Sequence, residues 1–442
     1  MWLRETNSEQ LNGSAIGPWS NSREQMLQVV IEVFEALKAR SIASRTKTNN
    51  SEKPSRALMS CIARFEIFAV DLPFRQLFKH AAAERGSSDS LFIKCATEEG
   101  HVGYGECLPR QYVTGESRDG TFQVLRDTLL PRLLGMKFTS LEEVKRFLVE
   151  CDGKAPKEWG SANEPQTAAW CAIDLALLDC FGHALQEPVR LGPSAAFPGS
   201  VRYSPVLSAE SGFKFLKTLI KLRLYGFRQV KLKLGGGNDT HLAGLTRRVL
   251  GRRVDMRADA NMAWSVDEAL TIMRDLSKSG VRFFEQPIAS GNISGLARLV
   301  NESGLGVMVD EGLSDRASLR KLINEHACTA VNVRISKCGG LMASLARCRE
   351  ALDAGLAVQV GCQVGESSLL SAAHLVLVTA VQKVTYAEGC FGYHLLREDP
   401  AEPVLQFGYG GRAPAIPNGA GLGVTMNESI LRRWSVQEAI VG

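Results

Sequence analysis

Charged residues recur along this chain at a nearly constant interval, and that interval restricts the fold more than any other feature. Lys231 and Lys233 come first, then Asp259, Glu285 and Asp310, at gaps of 26, 26 and 25 residues counting from Lys233. Each site closes a short apolar run rich in β-branched or aromatic residues: 229–234, 254–259, 281–285 and 306–310. A spacing near 25 residues is about one strand, one helix and two short connections. Units of that kind carry equivalent residues to the ends of neighbouring parallel strands, so these side chains are expected to converge on one place.

The length of 442 residues allows a large core plus a second module. Apolar content of 45% and charged content of 22% are those of an ordinary globular chain. The net charge of +5 is thinly spread, with no basic run interleaved with aromatics, which argues against a nucleic-acid partner. The eleven cysteines are odd in number and form no C-x-x-C pair, so reduced, buried thiols are expected rather than a disulfide framework or zinc site. No apolar run reaches the length of a membrane span and no basic-then-apolar signal opens the sequence. A cytoplasmic location without membrane association is the default expectation.

Residues 1–58 are polar, apart from Gln25–Ala43, which reads as one amphipathic helix ahead of a linker at 49–55. From residue 61 to about 200 the pattern is that of an α+β capping module. Alternating strands are expected at 62–70, 91–96 and 103–107, followed by helices over 141–150 and 165–185. Strand and helix then alternate through 201–389, with strands expected near 202–207, 229–234, 254–259, 281–285, 306–310, 330–335, 357–361 and 384–388. Eight such units imply a (β/α)8-type TIM barrel whose site lies at the C-terminal strand ends. No G-x-G-x-x-G opens a helix, and Gly235–Gly237 lacks a Walker lysine, so that loop reads as a flexible turn. The Gly-rich segment 390–442 is expected to return to the capping module.

Three carboxylates from adjacent strands form an all-oxygen donor set suited to a hard divalent cation, Mg2+ first and Mn2+ as the alternative. Without a cation they repel and raise one another's pKa. Asn261 and Glu311 adjoin two of them and are candidate supporting groups. Lys231 and Lys233 share a strand face, because side chains alternate. Two neighbouring ammonium groups near a partly dry mouth are expected to depress each other's pKa, leaving Lys233 as a base and Lys231 as its electrostatic tuner. A hard cation and a lysine base together suit removal of a proton beside a carboxylate.

The ordered set Lys-x-Lys, Asp259-Ala-Asn261, Glu285-Gln-Pro287, Asp310-Glu311 and Lys337-Cys-Gly-Gly340 resembles the enolase superfamily, in its muconate-lactonizing subgroup. The resemblance spans roughly 61–425. It implies a capping domain over the barrel, Asp259, Glu285 and Asp310 as metal ligands, and Lys233 as an acid/base. The implied function is Mg2+-dependent proton abstraction α to a carboxylate, as an isomerase (cycloisomerase or racemase) or a lyase such as a dehydratase. A two-base dipeptide or N-acylamino acid epimerase is the alternative, and a non-catalytic metal-binding scaffold is the reading from another class.

Two departures bear on that choice. Where two-base members carry a second lysine on the sixth strand, this chain has Arg334, with Lys337 three residues further on. Arginine stays protonated and is a poor base, though it can clamp a carboxylate. Where dipeptide epimerases of the subgroup carry Asp-x-Asp after the eighth strand, only Glu388 remains. Gln363 and Glu366 follow the seventh strand as further polar candidates. Arg75, Lys79 and His80, with Tyr112 and Thr114, are capping-domain candidates for contacting a small-molecule carboxylate substrate. His374 and Trp264 read as packing residues, and assembly into a homo-oligomer is expected.

Overall fold

The computed structural model describes residues 60–80, 83–159, 166–192, 201–208, 212–381 and 383–442, and not the side chains of 78–80, 83 and 84. The helix expected at Gln25–Ala43 and the linker at 49–55 lie outside the described residues.

The capping sheet is antiparallel. β1 (Ser60–Val70) runs between β4 (Ser90–Thr97) and β17 (Ser435–Val441), and β5 (Val102–Cys107) pairs on the far side of β4; β6 (Lys137–Phe138) pairs with the start of β1, and β15 (Ala401–Glu402) pairs with β16 (Thr425–Met426). Phe65, Ile67, Phe92 and Ile93 are buried in this sheet. Its inner face lies on the helix Thr167–Ala184, buried along almost its whole length. Close approach depends on small residues from both sides. A methyl group at Gly105 would strike the Ala172 carbonyl, and one at Gly103 the backbone of Cys180. The hairpin of β2 (Pro73–His80) and β3 (Ala83–Ser87) carries the capping candidates Arg75, Lys79 and His80 on a strand. Arg75, Gln76 and Leu77 are exposed there, so no buried face marks the strand in the sequence.

The eight barrel strands lie side by side in chain order, all parallel: β7 (Val206–Leu207), β8 (Gln229–Lys233), β9 (Asp255–Asp259), β10 (Val281–Glu285), β11 (Gly306–Val309), β12 (Ala330–Arg334), β13 (Ala357–Gly361) and β14 (Tyr386–Ala387). A bridge between Tyr203 and Ala387 joins the two ends, with Ser204 N donating to the Ala387 carbonyl at 2.9 Å. β7 and β14 are shorter than the sequence suggests, because pairing at the seam is reduced to that bridge. Gly235 N and Gly236 N donate to the Asp239 carboxylate at 3.0–3.3 Å, so the glycine run forms the turn that enters the helix Asp239–Leu250.

Two capping-module carboxylates fasten the layers together. Glu106 on β5 accepts from Ser367 N at 3.0 Å and from the Ser367 hydroxyl, at the start of the helix Ser368–Val381. Asp174 accepts from Leu341 N at 2.7 Å and Met342 N at 3.3 Å, at the start of the helix Leu341–Asp353. Both satisfy helix-end N–H groups that have no partner within the helix. Among the described residues, no helix is long and apolar enough to cross a membrane, and all eleven cysteines are unpaired thiols.

Candidate active site

Strand register brings the recurring residues together. Lys233 pairs with Asp259, Asp259 with Glu285, and Arg334 with Gly361, each at a C-terminal strand end. Asp310 follows β11 directly. Period two places a second polar layer one step below: Lys231 beside Arg257, and Asn332 beside Gln359. These four point into the barrel and hold the mouth residues from beneath.

Glu285 is the hub. It accepts from Lys231 Nζ at 3.2 Å through both oxygens, from Asn332 Nδ2 at 2.9 Å and from Gln359 Nε2 at 3.2 Å. Burial opposes its charge, yet Lys231, Arg334 and Arg257 outweigh that and hold it at about 2. Lys231 also donates to Glu388 at 3.1 Å and lies 3.3 Å from Asp259 Oδ2. Burial alone would lower its pKa, but Glu285, Glu388 and Asp259 raise it above the ordinary lysine range. This corrects the expected mutual depression of the two lysines. Lys233 alone moves down, by burial first, against the pull of Asp259 and with a push from Lys231. Its Nζ donates to Asn261 Oδ1 at 3.2 Å and lies 3.9 Å from Asp259 Oδ2. Asn261 sits at φ 47° with its N–H on Asp259 Oδ1 at 3.1 Å, a turn that aims the amide at Lys233.

Arg334 is ion-paired with Asp310 and lies 3.8 Å from Glu285 Oε1. β12 lies four places from β8 around an eight-stranded barrel, with three strands between them on either side, so Arg334 faces Lys233 across the mouth. Lys337 is fully buried in the turn beyond β12. It donates to the Asp310 backbone carbonyl, to Asp310 Oδ1 at 2.7 Å and to the Asn332 carbonyl at 2.9 Å. All three protons of an ammonium are then engaged, and Lys337 does not line the cavity, so it braces Asp310 instead of facing a substrate.

The cavity over the mouth is walled by Lys231, Lys233, Asp259, Asn261, Glu311, Arg334, Gln363, Glu366 and Glu388 below, and by Arg85, Arg110, Tyr112, Phe391 and Phe407 around the rim. Gln363 is buried, and neither polar atom of its amide has a hydrogen-bond partner. Glu311 and Glu366 are both pushed up to about 7, burial being the main cause. Glu388 is engaged twice, by Lys231 and by Arg257, whose other arm donates to Ser204 Oγ at 3.0 Å. Two other capping candidates, Thr114 and Arg75, are corrected. Thr114 is buried against the Arg110 backbone and does not reach the cavity. Arg75 is exposed over the Tyr393 ring, outside the cavity lining. Lys79 and His80 lie in β2, but their side chains are outside the description. His374 is a packed helix residue between the Tyr203 hydroxyl and the Val360 carbonyl, lowered to about 4 by burial. Trp264 is likewise buried.

The chemistry of Asp259, Glu285 and Asp310 fits a hard cation, and Glu311 Oε2 beside them is a buried oxygen that receives no hydrogen bond. As the side chains stand, no three acids among the described residues close around an ion. Lys231 and Arg334 stand between them.

Sequence comparison reads the same plan. Residues 64–191 match the profile of the mandelate racemase/muconate lactonizing enzyme N-terminal domain, and residues 216–430 match the enolase C-terminal domain-like profile. The chain belongs to this family of the enolase superfamily. N-succinyl-L-Arg/Lys racemase of Bacillus cereus is 27% identical over 383 residues, 86% of this chain and 99% of the relative. The crystal structure of that racemase superposes with a TM-score of 0.77, over 86% of this chain and 100% of its own. The hydrophobic dipeptide epimerase of Enterococcus faecalis is 26% identical, over 74% of this chain and 89% of the relative. Chloromuconate cycloisomerase of Cupriavidus pinatubonensis is 25% identical, over 83% and 96%. A dipeptide epimerase from Cytophaga hutchinsonii, crystallised with Mg and the dipeptide D-Ala-L-Val, shares the fold at 23% identity and a TM-score of 0.74, over 86% of this chain and all of its own. The protein is therefore an enzyme, and the scaffold reading loses its ground.

The polar layer below the mouth was missed in the sequence. Arg257, Asn332 and Gln359 each sit two residues before a strand-end position, so strand alternation alone marks them as inward-facing.

Proposed function

We propose that this enzyme removes and returns the proton on the carbon α to the carboxylate of an N-acylated amino acid, with a dipeptide as the neighbouring case. The observation that carries the reading is the lowered Lys233 ammonium, held by Asn261 and Asp259 at the edge of the cavity. An amine with a lowered pKa is free to accept a proton nearer neutral pH. Asn261 fixes its direction, and the high-pKa Lys231 stays charged beneath it. In this reading Asp259, Glu285 and Asp310 hold Mg2+, which supplies charge stabilisation as the substrate carboxylate gains electron density. The unpartnered Gln363 amide suits the acyl amide of a substrate. Glu388 is fully engaged by Lys231 and Arg257, so it is a weak counter-ion for a free α-ammonium, which favours acylated substrates. A guanidinium is a poor base, so exchange occurs on the Lys233 face only.

The test is incubation in deuterium oxide with N-succinyl amino acids and dipeptides, read by proton NMR and chiral chromatography. Loss of the α-proton signal of one enantiomer with its configuration kept is expected. No exchange in any of these substrates with Mg2+ present would sink the reading.

A further inference from the structure

The acids of the site already have cation partners before any ion enters it. Asp259, Glu285, Asp310 and Glu388 are four buried carboxylates, and Lys231, Arg257, Arg334 and Lys337 each lie within 4.0 Å of at least one of them, with Lys233 a fifth cation at the margin, 3.9 Å from Asp259. A divalent ion adds two positive charges to a dry cluster that already holds at least as many cations as acids, so a resident cation must give way. Lys231, Arg257 and Lys337 are at most 3% exposed and enclosed by partners. Arg334 is 12% exposed, lines the cavity, and bridges Asp310 and Glu285, two of the three acids assigned to the metal. Glu366 lines the same cavity, its Oε1 engaged by Gln363 N at 2.6 Å and its other oxygen available to a guanidinium.

We propose that Arg334 is a built-in competitor of the divalent cation: its guanidinium holds the carboxylate cage in the metal-free state and turns toward Glu366 when the ion binds. The inference rests on Asp259, Glu285 and Asp310 being the ligands. Metal uptake then depends on moving a permanent positive charge, and the apparent affinity falls by the fraction of time Arg334 stays in the cage.

Isothermal titration with Mg2+ and paramagnetic resonance of Mn2+ test this on the full chain and on Arg334→Met, Arg334→Lys and Glu285→Gln. Arg334→Met is expected to bind Mn2+ about tenfold or more tightly than the parent. Its melting temperature should fall in chelator and recover with Mg2+ by more than the parent's does. If Arg334→Met does not fold, Arg334→Lys, whose shorter arm reaches the acids less well, carries the comparison and should also bind more tightly than the parent. Equal or weaker binding in the arginine variants overturns the competition while leaving the metal site standing, provided Glu285→Gln abolishes uptake. Absence of uptake in every protein, parent included, overturns the competition together with the metal assignment beneath it.

Discussion

Two regions of this molecule bury carboxylates almost completely and satisfy them in opposite ways. Between capping sheet and barrel, Glu106 and Asp174 meet neutral N–H groups at helix starts. At the barrel mouth, Glu285 and Asp310 meet ammonium and guanidinium groups. Burial pushes Glu106 up to about 8 and Asp174 up to about 7, because dipoles offset only part of the lost hydration. The cations at the mouth instead hold Glu285 at about 2. The first arrangement joins two layers and can lose its charge near neutrality. The second keeps full charges in a dry place, which is what an electrostatic site requires.

The sharpest way to break this contrast is to remove the cation that lines the cavity with its pKa lowered. Lys233→Met should lower α-proton exchange by about 10³-fold, within the range for loss of a general base, with the fold unchanged by circular dichroism. Removing a cation that only pairs a buried acid should act on stability. Arg257→Met leaves Glu388 with Lys231 alone, at an expected cost of about 3 kcal/mol in urea unfolding, the lower end for breaking a buried pair. A loss under 1 kcal/mol would mean that Glu388 reaches water or is held by Lys231 alone. Glu106→Gln at the layer interface should cost less, about 1–3 kcal/mol near pH 5.

The pH dependence sharpens the comparison further. An acid whose folded pKa is raised binds its proton more readily when folded, so it favours the fold at low pH and disfavours it as pH climbs from the unfolded value toward the folded one. The Glu106→Gln penalty should therefore shrink between pH 5 and pH 8. A penalty constant over that range would show that the helix N–H groups keep Glu106 charged throughout. Glu285 runs the other way: its contribution is present above the unfolded carboxylate range and is lost as pH falls toward about 2. Exchange catalysed by Lys233 should rise with pH and level off below the ordinary lysine value of 10.5. The last expected change is qualitative. Arg334→Lys places a group able to titrate opposite Lys233, and chiral chromatography should then show inverted product where the parent gives exchange with retention.

The barrel was legible because its strands repeat at a fixed interval and end in residues an ordinary core would exclude. The constellation from Lys231 to Asp310 followed from register alone. What escaped was whatever depends on three-dimensional neighbours. Lys231 and Lys233 look equivalent in sequence, yet their pKa values move in opposite directions, because three carboxylates surround one and only Asp259 comes near the other. Lys337 resembles a catalytic lysine until its three acceptors are seen. The ribbon at Pro73–His80 was hidden because Arg75, Gln76 and Leu77 are exposed in succession, so burial does not alternate along it.

The pairing of β1 with β17 sets an order on assembly. The whole barrel lies between these two strands in the chain, so a nascent polypeptide presents β1 with one bare edge until Ser435–Val441 emerges. A lone strand edge is a template for unwanted partners. Truncations that stop short of that last ribbon should therefore aggregate during expression, even though every residue of the mouth is present.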